Sequence, residues 1–155
     1  MIKGDMSTKD WSEISEHPGP DDSPGLQLWR ASMVWRRRIE EALAPHDLTH
    51  PQFVLLATIG WSVTVGAGLS QIELARTVGL DANTVSQVVR GLEAKGLIVR
   101  EATKGRAKRL DLTPEGQVRL RTVVPLVEGA DALFFGRLPD KGATVARQLA
   151  SLVGD

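Results

Sequence analysis

The spacing of hydrophobic positions switches between the period of a helix and that of a strand, and a cap, a glycine or a proline marks each switch. Over residues 23–44, Leu28, Ser32, Trp35, Ile39 and Ala42 fall on one helical face, and Trp29, Met33 and Leu43 add a second apolar strip. Ser23 stands as N-cap with Pro24 at the first helical position, and Pro45 stops the helix. Two apolar strips imply two contacts, one of which can be another subunit. Thr49 and Gln52 have capping-box spacing, and Phe53, Leu56, Ala57 and Gly60 give the next helix its inward face until it fades near Trp61.

Ser70 and Glu73 form a second capping box, followed by apolar Ile72, Leu74, Ala75 and Val78, with Gly79 closing the helix. Asp81 caps the following helix, residues 82–95, which Gly96 ends. So short a turn, containing glycine, is the mark of a helix-turn-helix. Residues 97–102 and 109–112 read as two strands around a tip at 103–106, where Gly105 is free to take a positive φ, and Leu69 can add a short strand. Thr113 and Pro114 open a long helix to about Gly136, with an expected kink at Pro125. A last helix is expected to start at Leu138-Pro139-Asp140, its apolar face formed by Val145, Leu149 and Leu152. Residues 1–22 are polar and acidic and are expected to be mostly disordered, with room for a helical turn around Trp11.

Charge sharpens this picture. The 155 residues carry no net formal charge, but it is unevenly spread. Residues 1–24 hold Lys3 and Lys9 against six acids, whereas 95–110 hold Lys95, Arg100, Lys104, Arg106, Lys108 and Arg109 against Glu101 alone. A local cationic patch matters more for phosphate attraction than the global sum. Arg36, Arg37 and Arg38 read as a solvated or ion-paired face. The absence of cysteine excludes disulfides, thiolate metal sites and thiol-based sensing. No apolar run approaches the roughly 18 residues of a membrane span, and the N-terminus lacks the apolar core of a secretory signal. A cytoplasmic location is expected, with no membrane contact.

On the second helix of the pair, Val85, Val88, Val89 and Leu92 cluster within about 60° and form the inward face. Asn83, Gln87, Arg90 and Ala94 fall opposite, flanked by Thr84 and Ser86. Arginine can pair with guanine, and asparagine or glutamine with adenine, through two hydrogen bonds each; hydroxyls suit phosphates or base edges. No carboxylate interrupts the centre of that face. Ser70 and Gln71 at the start of the first helix, and Lys104, Arg106 and Lys108 on the hairpin, complete the expected DNA contacts.

The segments SQIELA (residues 70–75), NTVSQVVRGLEAKGLIVR (83–100) and RLDLTPEG (109–116) resemble the MarR family of winged helix-turn-helix transcription regulators. The resemblance spans about residues 25–152. It implies a mainly α fold with a small two- or three-stranded antiparallel wing, and N- and C-terminal helices that interlock in a homodimer. Residues 1–22 would be a tail, 23–48 a first dimerisation helix, 49–113 the DNA-binding lobe, and 114–155 the long helix and the C-terminal dimerisation helix. It further implies a pseudo-palindromic operator in double-stranded DNA, repression, and release by a small aromatic or lipophilic effector. Arg106 matches the wing arginine that reaches into the minor groove, whose negative potential attracts it. Lys104 stands where the family has an aspartate that orients this arginine, so the wing is not expected to be well ordered without DNA. Trp29, Trp35, His50, Phe53 and Trp61 are candidate walls of the effector cleft.

Other classes fit less well. His17, His46 and His50 make no catalytic or metal-ligand motif, and neither a phosphate-cradling glycine loop nor Gly-x-Ser-x-Gly is present. An enzyme is not expected, and neither is a cofactor or a metal. A metal sensor built on His46 and His50, or a winged helix used only for protein contacts, are the alternatives. The second would leave the groove-facing positions free to be acidic or apolar, which Asn83, Gln87 and Arg90 are not.

Overall fold

The computed structural model describes residues 8–101 and 108–154. The chain divides into two compact units, Met1–Arg37 and Arg38–Asp155.

In the first unit, α1 (Thr8–Ile14) is followed by a single 3-10 turn at Pro20–Asp22 and the start of α2 (Pro24–Leu43). The acidic segment, expected to be mostly irregular, is thus helical around Trp11. Its indole Nε1 donates to the His17 carbonyl at 3.2 Å. Asp21 accepts from Arg30 Nη1 at 2.7 Å, and its backbone carbonyl accepts from Gln27 Nε2 at 3.1 Å. Asp21 thus finds both donors within the first two turns of α2. Ser23 Oγ caps α2 by accepting from the Leu26 amide at 3.3 Å. Of the second apolar strip, Trp29 and Met33 are exposed while Leu43 is fully buried, and Leu28, expected on the first face, is exposed as well.

The second unit is built on α3 (His50–Thr64), which packs against α4 (Gln71–Val78), α5 (Ala82–Ala94) and α6 (Pro114–Phe135). The chain reaches α3 through a 3-10 turn at Ala44–His46 and Asp47, whose backbone is left-handed at φ 52° and ψ 43°. Both capping boxes expected from the sequence form, Thr49 with Gln52 and Ser70 with Glu73. The strands β1 (Leu69–Ser70), β2 (Ile98–Glu101) and β3 (Arg109–Leu112) make one antiparallel sheet in the order β1-β3-β2. Ile98 pairs with Leu112 and Glu101 with Arg109; Leu69 pairs with Leu110. Leu55, Leu56, Ile59, Leu74, Val85, Val89, Leu92, Leu97 and Val123 are fully buried and form the core beneath α5. The result is a mainly α winged helix-turn-helix with a three-stranded sheet.

Some local expectations are corrected. α3 runs on to Thr64 rather than fading at Trp61. Of the apolar residues of α4, Leu74 and Ala75 are buried, whereas Ile72 is 62% exposed. The last helix, α7, spans Ala143–Val153 and not 139 onward. The carboxylate of Asp140 accepts from the Gly142 amide at 3.1 Å and the Thr144 amide at 2.7 Å, and Gly142 takes φ 90°. That turn uses the residues that would have formed the first helical turn. The long helix, by contrast, forms where expected, Pro114–Phe135 with Pro125 in its interior. α7 buries no residue, leaving Leu152 and Val153 well exposed. Among the described residues no helix is long and apolar enough to cross a membrane.

Candidate nucleic-acid interface

The geometry of α5 follows from what holds each of its ends. At its start Asp81 Oδ1 accepts from the Thr84 amide at 2.9 Å, and Oδ2 from Thr84 Oγ1 at 2.5 Å. These two bonds hold the Asp81 carboxyl below the usual carboxylate range. The turn before it depends on Gly79 at φ 69°, a left-handed cap that suits glycine. Beneath the helix Val85, Val89 and Leu92 are fully buried, and Val88 is half-buried.

Opposite that face Asn83, Gln87 and Arg90 are exposed, with Ser86 half-buried beside them. Arg90 Nε donates to the Ser86 carbonyl at 3.2 Å, which lays its guanidinium along the helix. The structure therefore brings together two amides and a guanidinium on one exposed strip. The hydroxyls differ. Thr84 Oγ1 is committed to the Asp81 cap, and Ser70 Oγ donates to Glu73 Oε2 at 2.8 Å while accepting the Glu73 amide at 3.3 Å. Bonds from Ser70 hold the Glu73 carboxyl low. Gln71 is half-buried, and its Oε1 has no hydrogen-bond partner among the described residues.

The cations expected on the hairpin separate into two groups. Three already bind protein. Lys95 Nζ reaches the Asp47 carboxylate at 3.2 Å and the Gln52 amide oxygen at 3.0 Å. Arg100 makes a two-pronged bridge to Glu93, Nε to Oε1 at 2.8 Å and Nη2 to Oε2 at 3.1 Å. That pairing holds the Glu93 carboxyl low and raises the Arg100 guanidinium. Arg109 Nη1 donates to the carbonyls of Ala67 and Gly68, tying β3 to the loop before β1. Lys108 is exposed. Lys104 and Arg106 lie outside the described residues. The window that looked so cationic thus includes side chains matched by acids or carbonyls far off in sequence.

A cavity of about 470 Å³ lies between α3 and α6, lined by Gly60, Trp61, Thr64, Leu120, Arg121 and Val124 among others. Glycine at position 60 lets α6 pack close against α3: a methyl group built there would stand 2.5 Å from Leu120 Cδ2. Of the five expected cleft residues, Trp61 alone lines this cavity. His50 and Phe53 are half-buried in the first turn of α3, whereas the lining begins at Ala57. Trp29 and Trp35 belong to the first unit. The long helix after Thr113 does form a wall, as expected, through Gln117, Leu120, Arg121 and Val124 of α6, residues beyond the five candidates. Their spacing on one helical face was the available signal. Among the described residues no three His, Asp or Glu side chains are placed to share a metal ion.

Residues 46–109 match the MarR family. The chain is also 40% identical over 123 residues to the uncharacterized HTH-type transcriptional regulator YdcH of Bacillus subtilis (strain 168), covering 78% of this chain and 84% of that one. The chain belongs to the MarR family.

A second relative is the HTH-type transcriptional repressor Rv2887 of Mycobacterium tuberculosis, 36% identical over 121 residues, covering 76% of this chain and 84% of that one. A crystal structure of Rv2887 in complex with DNA aligns with a TM-score of 0.66 at 30% identity over 84% of this chain and 97% of that one. Rv2887 in complex with salicylic acid aligns with the same TM-score at 34% identity, over 85% and 98%. These relatives are transcriptional regulators, not enzymes. In this MarR-family chain the helix-turn-helix and β2 lie within the matched span, while β3 after Arg109 and α6, the far wall of the cavity, lie beyond it.

Proposed function

We propose that the chain is a sequence-specific repressor that binds a pseudo-palindromic operator in double-stranded DNA as a homodimer. A small aromatic or lipophilic ligand in the cavity between α3 and α6 releases it. The observation that carries this reading is the exposed strip of Asn83, Gln87 and Arg90 on α5, free of carboxylates and backed by a fully buried face. Those side chains suit base edges in the major groove, which admits a single helix. Lys108, with Lys104 and Arg106 that stand between β2 and β3 in the sequence, supplies charge for the flanking phosphates and the minor groove.

The homodimer is supported by uncovered apolar surface. Leu133 on α6, Leu152 and Val153 on α7, and Leu28 and Trp29 on α2 are all more than half exposed. Exposed apolar surface of this kind, present on each unit, is where monomers find partners, and a two-fold dimer matches a palindromic site. Ligand release is supported by the mixed character of the cavity, an apolar wall with Arg121 on it. An aromatic carboxylate such as the salicylic acid bound by Rv2887 offers a ring for Trp61 and a charge for Arg121.

A gel shift on the DNA upstream of the protein's own gene tests the central claim. Specific binding should appear at low salt and weaken steeply as salt rises, because each phosphate contact releases counterions. No retardation at low salt, of that DNA or of duplexes drawn from a random pool, would sink the reading.

A further inference from the structure

We infer that Lys95 is a positioning residue for α5, tying the end of that helix to the corner at His46 and Asp47, and that Arg119 of α6 grips the same corner. This rests on the DNA-binding reading and assigns Lys95 a role other than phosphate contact. Lys95 follows the last residue of α5, where sequence alone makes it a natural phosphate ligand. Its side chain is 27% exposed. Its ammonium donates to the Asp47 carbonyl at 2.5 Å, pairs with the Asp47 carboxylate at 3.2 Å and donates to Gln52 Oε1 at 3.0 Å.

That Gln52 oxygen also accepts the Thr49 amide at 3.2 Å, so the cap of α3 and the end of α5 share one acceptor. The two helices are close here: a methyl group on Gly91 would lie 3.1 Å from Gln52 Nε2. Arg119 Nη1 donates to the His46 carbonyl at 2.6 Å. Asp47, between these grips and α3, holds a left-handed backbone, which a non-glycine residue keeps only where its surroundings fix it. Charged donors on backbone carbonyls make strong, directional bonds. Two such donors, from α5 and α6, converge on consecutive carbonyls. Arg119 stands between Gln117 and Leu120, which line the cavity. The corner is therefore bonded to the helix that carries the proposed base-reading strip and to the helix that walls the proposed effector site.

The test compares a duplex selected by the wild-type chain from a random pool with an unselected duplex of equal length, each across a salt series. Lys95→Met should weaken the selected duplex about tenfold, the scale of a lost charge-assisted bond, and leave the unselected duplex and the salt slope unchanged. Lys95→Arg, which still reaches the carbonyl, should recover most of the loss. Asp47→Asn has the decisive sign. Removing a negative charge would by charge alone tighten DNA binding, whereas loss of positioning weakens the selected duplex. Asparagine tolerates the left-handed backbone, so this arm decides if Lys95→Met does not fold. A salt slope lower by about 0.9 with equal loss on both duplexes would make Lys95 a phosphate contact and overturn the inference, as would tighter binding by Asp47→Asn. A wild-type chain that selects no duplex overturns the DNA-binding reading itself, and this role with it.

Discussion

Gly116 lies directly against the backbone of Leu97: a methyl group on its Cα would stand 1.9 Å from the Leu97 carbonyl oxygen. The same oxygen accepts the Thr113 amide at 3.1 Å, and Thr113 Oγ1 donates to the Gly96 carbonyl at 2.6 Å. The first turn of α6 is thus joined to the chain leaving α5 by direct backbone contact and by the Thr113 hydroxyl. Gly116→Ala must push α6 off that carbonyl or break the Thr113 bond. A loss of about 1–3 kcal/mol in unfolding free energy is expected, the usual scale of overpacking. Urea unfolding measures it, and an unchanged midpoint would show that α6 can shift freely here.

Arg90 is the most exposed test of the α5 strip. Arg90→Ala should cost roughly 1–3 kcal/mol on the cognate duplex and relax preference at one base position. Titration against single-base variants of the selected site is the measurement. Equal weakening on every variant would make Arg90 a phosphate contact.

The capping carboxylates predict a pH dependence of stability. Glu73, Asp81 and Asp140 are each held below their ordinary range, chiefly by hydrogen bonds from Ser70, Thr84 and Thr144 respectively. A carboxyl whose folded pKa is depressed stabilises the fold above its unfolded pKa, and that contribution disappears as pH falls through the folded value. Thermal melting should therefore be flat at neutral pH and decline once pH drops below about 4, the ordinary carboxylate value. Asp81→Asn keeps an oxygen acceptor but no titratable charge, so its decline should be shallower. An equally steep decline in that variant would remove Asp81 from the explanation.

Trp61 is 70% exposed on the cavity wall, so an effector bound there must change its surroundings. Titration with an aromatic carboxylate should alter tryptophan emission in the wild type and much less in Trp61→Phe, which retains Trp11, Trp29 and Trp35. An undiminished response in the variant would place the ligand elsewhere.

The start of α7 shows why some boundaries were misread. Pro139-Asp140 resembles Ser23-Pro24 and Thr113-Pro114 as a local string, and those two do begin helices. Asp140 instead bonds two amides ahead of it and Gly142 turns left-handed, which delays the helix to Ala143. Competition between a side chain and the helical ladder is decided by which partners come within reach. The capping boxes at Thr49 and Ser70 were legible because both members lie within one turn. The helical order, the short glycine turn and the buried valines of α5 were legible for the same reason: they are periodicities of adjacent residues.

By itself the sequence determined the family, the helix-turn-helix and which face of α5 looks outward, since caps and amphipathic spacing are local properties of the chain. Tertiary structure alone decided which cations are free. Lys95 and Arg109 are bound by groups more than forty residues away in sequence, and Arg100 by Glu93 on the preceding helix. The cavity is of the same kind, because its walls come from α3 and α6, elements distant in sequence. Counting charges along a window cannot see either, because ion pairing and void volume depend on distance in space.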